Sequence, residues 1–200
     1  MPNELNAYKT KARQGVAPLL HAAFICIAKQ GVEKLTMRQV AQQANCALGT
    51  MTYHFASKQE LIECVFIEYV LPIIHICNQA HYQFDPATAL REDIKASLPF
   101  ATETEQIWRV RFALLHFSTH NPQFRALIQK TQHTAQSGLE KRYARLKSLN
   151  RLRTPFTNNS LAIQTLLIVE GAGLNMLQAP ASQRALYGEQ VLHWFDNLLA

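Results

Sequence analysis

The stretch Thr36 to Lys58, TMRQVAQQANCALGTMTYHFASK, constrains the fold more than any other part of the chain. It reads as a helix, a sharp turn, a second short helix, an aromatic stop and the cap of a third helix. Thr36 is a helix-capping residue with Gln39 three positions on, the pattern of a capping box. Val40 and Ala41 face inward, and Ala44 ends the first helix. Asn45 stands where the chain must reverse, and asparagine tolerates the left-handed backbone better than most residues with a Cβ. Ala47 to His54 then make a short helix of small, mildly polar groups around Leu48 and Met51. Two short helices so joined present the second one to the major groove of DNA.

Helical periodicity fills every other long segment, and no stretch alternates like a strand. A first helix is expected over about 9–30, with Val16, Leu20, Ala23, Phe24 and Ile27 on one face. Another starts at Ser57, capped with Glu60, and runs through Leu61, Val65, Ile67 and Leu71 toward Tyr82, kinked at Pro72. Asp85-Pro86 opens the next, Thr102 with Glu105 the one after, and Asn121-Pro122 a long helix to about 152. RTPFTNNS is a loop, and helices over about 159–178 and 183–199 complete the chain. The expected architecture is all-α: a three-helix helix-turn-helix domain over 1–56 and a larger helical domain over 57–200, about nine helices in all.

With 48% apolar and 17% charged residues, the 200-residue chain has the composition of a globular protein with a real core. No uninterrupted apolar run approaches the ~18–20 residues of a membrane helix. The longest candidate, Val70 to Cys77, is broken by Pro72 and His75. The N-terminal MPNELNAYKTKAR lacks an apolar signal core, so a cytoplasmic protein with no membrane partner is expected. Cys26, Cys46, Cys64 and Cys77 show no metal spacing and read as reduced thiols, with a redox sensor at Cys46 or Cys64 as the alternative. Charge is uneven: residues 1–60 carry seven Lys/Arg against three Glu, and 121–160 eight against one. A basic N-terminal block carrying the helix-turn-helix fits phosphate binding. The block Arg125 to Arg153 reads as a solvated helix face, with an anionic ligand or a further DNA contact as alternatives.

Arg13, followed by VAPLLHAAFICIAKQGVEKLTMRQVAQQANCALGTMTYHFASKQELI, resembles the DNA-binding domain of TetR-family transcriptional repressors. Arg13, Ala23, Phe24, Gly31, Thr36, Ala41, Gly49, Thr50, Phe55, Ser57, Lys58 and Leu61 fall in the family's order. Three positions depart from it. Asn45 replaces the turn glycine. Ala47 replaces a serine cap, which loosens the first turn by about 1 kcal/mol. Thr52 replaces a tyrosine, with Tyr53 next to it, a substitution similar to the BetI-like branch. The candidate DNA contacts are Thr36 and Arg38 on one phosphate, Leu48, Gly49, Thr50 and Thr52 at base edges or thymine methyls, and Tyr53, His54 and Lys58 on phosphates. The alternative is a helical binding protein whose DNA head is degenerate at Ala47 and Thr52.

The remainder is similar to the C-terminal domain of BetI-like regulators, on EQIWRVRFALLHFSTHNPQFRAL (Glu105 to Leu127) and Glu170-Gly171. That resemblance implies an unidentified small-molecule effector. The candidate ligand residues are Val70, Ile74, Trp108, Phe112, Leu115, His116 and Glu170. A carboxylate among aromatic rings suits a cation, Arg109 and Arg111 suit an anion, and core packing of Trp108 and Phe112 is the plainer reading. LAIQTLLIVEGAGLNML is apolar nearly all round, so it must meet a second surface. Leu166, Gly171, Gly173, Val191, Trp194, Phe195 and Leu198 are the candidate dimer contacts, and the resemblance implies a homodimer through the last two helices. His116 and His120, four apart, lack a third metal ligand, so His120 is expected on the last carbonyls of its helix. Without a phosphate loop or nucleophile elbow, neither enzymatic activity nor a cofactor is expected. The expected function is a ligand-responsive, sequence-specific DNA-binding regulator, a repressor released from a palindromic double-stranded operator.

Overall fold

The computed structural model describes residues 15–75 and 85–200, and every regular element there is a helix. Arg13, Cys77, the start at 9 and the run to Tyr82 lie outside the described residues. The elements are α1 (Ala17–Gln30), α2 (Met37–Gln43), α3 (Leu48–His54), α4 (Lys58–Val65), α5 (Leu71–Ile74), α6 (Pro86–Ser97), α7 (Thr102–His120), α8 (Pro122–Ser148), α9 (Asn158–Gln178) and α10 (Ala181–Asp196). They form two compact units: residues 1–72 with 109–128, and 73–108 with 129–200. Helices α7 and α8 each contribute to both.

In the first unit, Leu20, Ala23 and Ile27 of α1 are buried with Val40 and Ala41 of α2, Met51 of α3, Phe55, and Leu61, Ile62 and Val65 of α4. Phe124 from the start of α8 meets Phe66 and Phe117 edge-on, each at 5.5 Å between ring centres. Between α4 and α5 the backbone widens into a π-helical turn, Phe66–Val70, in which the Leu71 amide reaches back to the Phe66 carbonyl. Pro72 follows immediately. Its ring has no N–H and crowds the preceding turn, and a widened turn accommodates both. The expected disturbance at Pro72 therefore takes the form of a wide turn just ahead of it.

The second unit's core joins Leu90, Ile94 and Leu98 to Leu139, Tyr143 and Leu146 of α8, Leu161 and Met176 of α9, and Val191 and Phe195 of α10. Ion pairs pin its periphery: Arg142 to the buried Asp93, Arg184 to Glu105 at 2.6 Å, and Arg91 to Asp196 at 2.8 Å. Trp108 is fully buried and donates its indole N–H to the Ser97 carbonyl at 2.7 Å. Its ring lies against Gly173, where an added Cβ would come within 3.0 Å of it.

Local signals place most helix ends. Ser57, Asp85, Asn121 and Thr157 each accept an amide three residues on and start α4, α6, α8 and α9. Helix α7 starts at Thr102 as expected, but through different contacts. Thr104 Oγ1 accepts from the Ala101 amide, and Glu105 is drawn away to Arg184. Helix α8 ends at Ser148, short of 152, because Asn150 turns left-handed (φ 54°) and the Arg151 amide reaches the Leu146 carbonyl, a Schellman ending. The freed strand bridges Leu152 to Leu199, which ends α10 early as well. Arg125, rather than His120, donates to the last carbonyls of α7, those of Ser118 and Thr119.

Gly173→Ala is expected to destabilise the protein by about 1–3 kcal/mol, because Trp108 has no room to retreat and overpacking outweighs the better helix former. Thermal unfolding checks this: the Tm should fall by several degrees.

Candidate nucleic-acid interface

The turn between α2 and α3 is a second Schellman ending. Asn45 has φ 52°, its amide bonds the Gln42 carbonyl at 3.1 Å, and the Cys46 amide bonds the Ala41 carbonyl at 2.9 Å. Asparagine thus does here what glycine does in the family pattern. At the other end of α2, the capping box is complete. The Gln39 amide donates to Thr36 Oγ1 at 3.2 Å and the Thr36 amide to Gln39 Oε1 at 3.0 Å. The Thr36 hydroxyl also donates to Gln39 Oε1. Its side chain is therefore engaged in the cap, while Arg38, the second residue of α2, is exposed.

Helix α3 forms despite Ala47, which gives it no side-chain cap. Met51 is fully buried and Phe55 nearly so, and the Phe55 amide closes the helix on the Met51 carbonyl. The opposite side, Leu48, Gly49, Thr50, Thr52 and Tyr53, is exposed, Tyr53 by 85% with its ring edge-on to His54. Those five candidate contacts thus lie on the exposed part of α3. Lys58 is only half-exposed. Its ammonium donates to the Glu33 carbonyl at 3.4 Å, and desolvation lowers its pKa against the opposing pull of the Glu33 carboxylate.

A polar junction beside this head has no local signal in the sequence. Gln59 of α4 donates to Gln123 at 2.8 Å and to Glu63 at 3.0 Å, and accepts from Asn121 at 3.2 Å. His116 faces Glu33 at 3.9 Å. Apart from Glu63, one turn along from Gln59, these partners lie more than sixty residues apart in the chain, beyond the reach of any spacing rule.

The candidate ligand residues divide between the units. Val70, Phe112, Leu115 and His116 belong to the first, with Val70 fully buried and His116 exposed; Ile74, Trp108 and Glu170 belong to the second. Trp108 is a core residue with its N–H satisfied, as the plainer reading had it. No group of three or more His, Cys, Asp or Glu placed to hold a metal occurs among the described residues. Cys26 and Cys64 are buried, and burial raises the Cys26 pKa, so its thiol stays protonated and unreactive.

Of the candidate dimer contacts, Val191, Phe195 and Leu198 fill the core of their own unit and Gly173 accommodates Trp108. These four are corrected from interface to interior. Leu166 and Trp194 are half-buried and Gly171 is exposed. The large apolar side chains that do reach the surface of these helices are Ile163, Leu167, Leu174 and Leu186.

A buried-core helix-turn-helix with an exposed, uncapped second helix defines a DNA-binding transcriptional regulator. The family comparisons agree. Residues 19–65 match the model of bacterial regulatory proteins of the tetR family, and residues 86–200 that of the C-terminal part of BetI-type transcriptional repressors. The chain belongs to the tetR family, with a BetI-type C-terminal domain. No curated protein sequence matches it. Among solved structures, a transcriptional regulator from Rhodococcus sp. Rha1 superimposes with TM-score 0.77 at 24% identity, over 91% of this chain and 94% of that one. A regulator from Saccharomonospora viridis in complex with choline gives 0.79 at 17%, over 92% and 97%. SmeT, the repressor of the Stenotrophomonas maltophilia multidrug efflux pump SmeDEF, gives 0.72 at 18%, over 95% and 93%.

Ala47→Ser is expected to supply the missing cap and stabilise α3 by about 1 kcal/mol. Amide exchange across Leu48 to Met51 should slow by about fivefold, and an unchanged rate would mean the serine does not cap.

Proposed function

We propose that this regulator is a homodimeric repressor whose DNA-reading head, residues 1–56, holds a palindromic operator, and whose body, residues 57–200, releases it when a small-molecule effector binds. The observation that carries the DNA half is the reader surface itself: six candidate contacts from Leu48 to His54 on a helix that buries Met51 and is closed by the buried Phe55. Arg38 and Lys58 flank it with positive charge, and Tyr53 reaches furthest into solvent. Phosphate contacts position such a head and base contacts specify its site.

The dimer rests on α9. Ile163, Leu167, Gly171 and Leu174 recur at intervals of four, four and three, one face of a helix, and Leu186 of α10 is exposed beside a helix that packs on α9 within the same unit. By length and composition alone α9 could cross a membrane, with mean hydropathy 1.4 over its best window, 28% of it buried in the chain. A second copy covering the same face accounts for that apolarity within a regulator of this family. The glycine at 171 suits a close helix approach.

A small-molecule effector is supported by the BetI-type body and by structural relatives solved with small molecules, one with choline and SmeT with triclosan. These two ligands differ too much to name a class for this chain. Release follows from linkage: an effector that binds better to the conformation whose heads do not fit the operator must weaken DNA binding by the same factor.

Footprinting of the purified protein on the DNA flanking its own gene is expected to show a protected palindrome. Tyr53→Ala should weaken that complex by about five- to tenfold, and Lys58→Ala should lower the salt slope by about one. Sequence-blind binding would instead favour the degenerate-head reading. Leu167→Glu should convert the dimer to monomer in analytical ultracentrifugation without loss of helical content.

A further inference from the structure

The reader surface is unusually poor in hydrogen-bonding side chains. From Leu48 to Thr52 no residue carries a charge or a side-chain amide. Gly49 presents bare backbone, with nothing within 4 Å of where a Cβ would stand. Leu48, at the first turn, is 46% exposed although it is a large apolar residue. Residues at the N-terminal end of a reader helix are those that meet base edges. The Thr52 hydroxyl is turned back onto its own helix, donating to the Gly49 carbonyl at 3.1 Å and approaching the Leu48 carbonyl at 3.4 Å. In a staggered rotamer that leaves the γ-methyl as the outward group of an exposed side chain. Two methyl-bearing groups, at positions four apart, therefore lie along one side of the helix.

We propose that this face reads thymine through its C5-methyl group, with Leu48 and the γ-methyl of Thr52 as the specificity-determining contacts. The inference rests on the assignment of α3 as the DNA-reading helix and deepens it by naming what is read. In the major groove, the thymine methyl is the one apolar mark on any base edge, and apolar side chains are its natural complement. A cytosine at the same place would leave Leu48 and Thr52 facing a polar amino group with nothing to pair it. Side chains four apart on a helix stand about 5–6 Å from each other, the span of one to two base steps of about 3.4 Å. The two thymines of a half-site therefore lie within two steps of one another.

The test uses the full-length protein to select its site from a pool of randomised duplexes. Binding is then measured to the selected duplex and to versions in which one thymine at a time is replaced by deoxyuridine, which removes only the methyl. Two thymines per half-site should each lose about fourfold in affinity, the worth of one buried methyl. Thr52→Ser keeps the back-bonded hydroxyl and loses the methyl, so it should bind about fourfold more weakly and become indifferent to deoxyuridine at one of the two positions. Thr52→Val keeps the methyl and loses the hydroxyl, and should bind as the parent does. If the site is selected and bound but deoxyuridine is neutral everywhere, or if Thr52→Val loses affinity while Thr52→Ser keeps it, methyl readout is overturned and the DNA-binding assignment stands. If no sequence is enriched, the reader assignment fails and takes this inference with it.

Discussion

The burial of Met51 and Phe55 is the contact on which the functional part of this protein depends. A helix of seven residues, the length of α3, has no stability of its own in water, since the cost of nucleation is recovered only over about 12–15 residues. It exists because its one buried side chain, Met51, and the residue that closes it, Phe55, are taken into the same unit that buries Leu20, Ile27, Val40, Leu61 and Val65. The complete capping box of α2 and the left-handed Asn45 fix the direction from which the chain enters α3, so that Met51 rather than Thr50 or Thr52 meets the core. Everything exposed on the other side of the helix follows from that choice.

The second unit solves a different problem, placing a nearly all-round apolar helix against a core that needs only half of it. Trp108 decides the matter. Its ring occupies the space over Gly173, and its N–H is satisfied by Ser97. The faces of α9 and α10 that pack inward take Leu161, Met176, Val191 and Phe195 with them. Gly188 plays the same part on α10 against Phe100. What remains outside, Ile163, Leu167 and Leu174, is the part the unit cannot use for itself. The buried Asp93 with Arg142, and Glu105 with Arg184, tie α6 and α7 to the helices around them. They are specificity devices more than sources of stability, because desolvation of such pairs offsets much of their attraction.

How much of this was legible in the sequence varies with the range of the interaction. Ser57, Asp85, Asn121, Thr36 and Asn45 act within three to five residues, and each was readable as a cap or a turn from the sequence, whereas Thr157 caps a helix that starts inside the expected loop. Helix α3 was readable for the same reason. The ending of α8 at Asn150 was equally local, yet the apolar rhythm through Leu149 and Leu152 masked it. Which face of α9 turns outward was not legible. A helix apolar on every side has no moment to say which face is inside, and Val191, Phe195 and Leu198 were separated from Leu167 and Leu174 only by what packs on them. Periodicity did not decide the place of Trp108 either, since a buried Trp and a ligand-facing Trp have the same period. The junction of Gln59 with Asn121 and Gln123 joins segments that no pattern within the chain connects.

The basic block Arg125 to Arg153 shows how far formal charge can mislead about partners. Four of its cations are occupied within the fold: Arg125 caps α7, Arg142 pairs with Asp93, Lys147 donates to the Phe156 carbonyl and Arg151 pairs with Asp85. Much of the local excess is therefore structural, and the net charge of the block is no measure of its attraction for DNA. At the head the balance is reversed. The surface from Leu48 to Thr52 carries no charge at all, so under the proposed function the attraction for DNA comes from cations outside it, such as Arg38 and Lys58. On this reading, affinity and sequence choice reside in different residues: salt would weaken the phosphate contacts and leave the preference among bases nearly unchanged. That separation is what an apolar reading surface requires, because burying methyl groups provides discrimination but little reach, and only a charged rim can bring the duplex close enough for the methyls to matter.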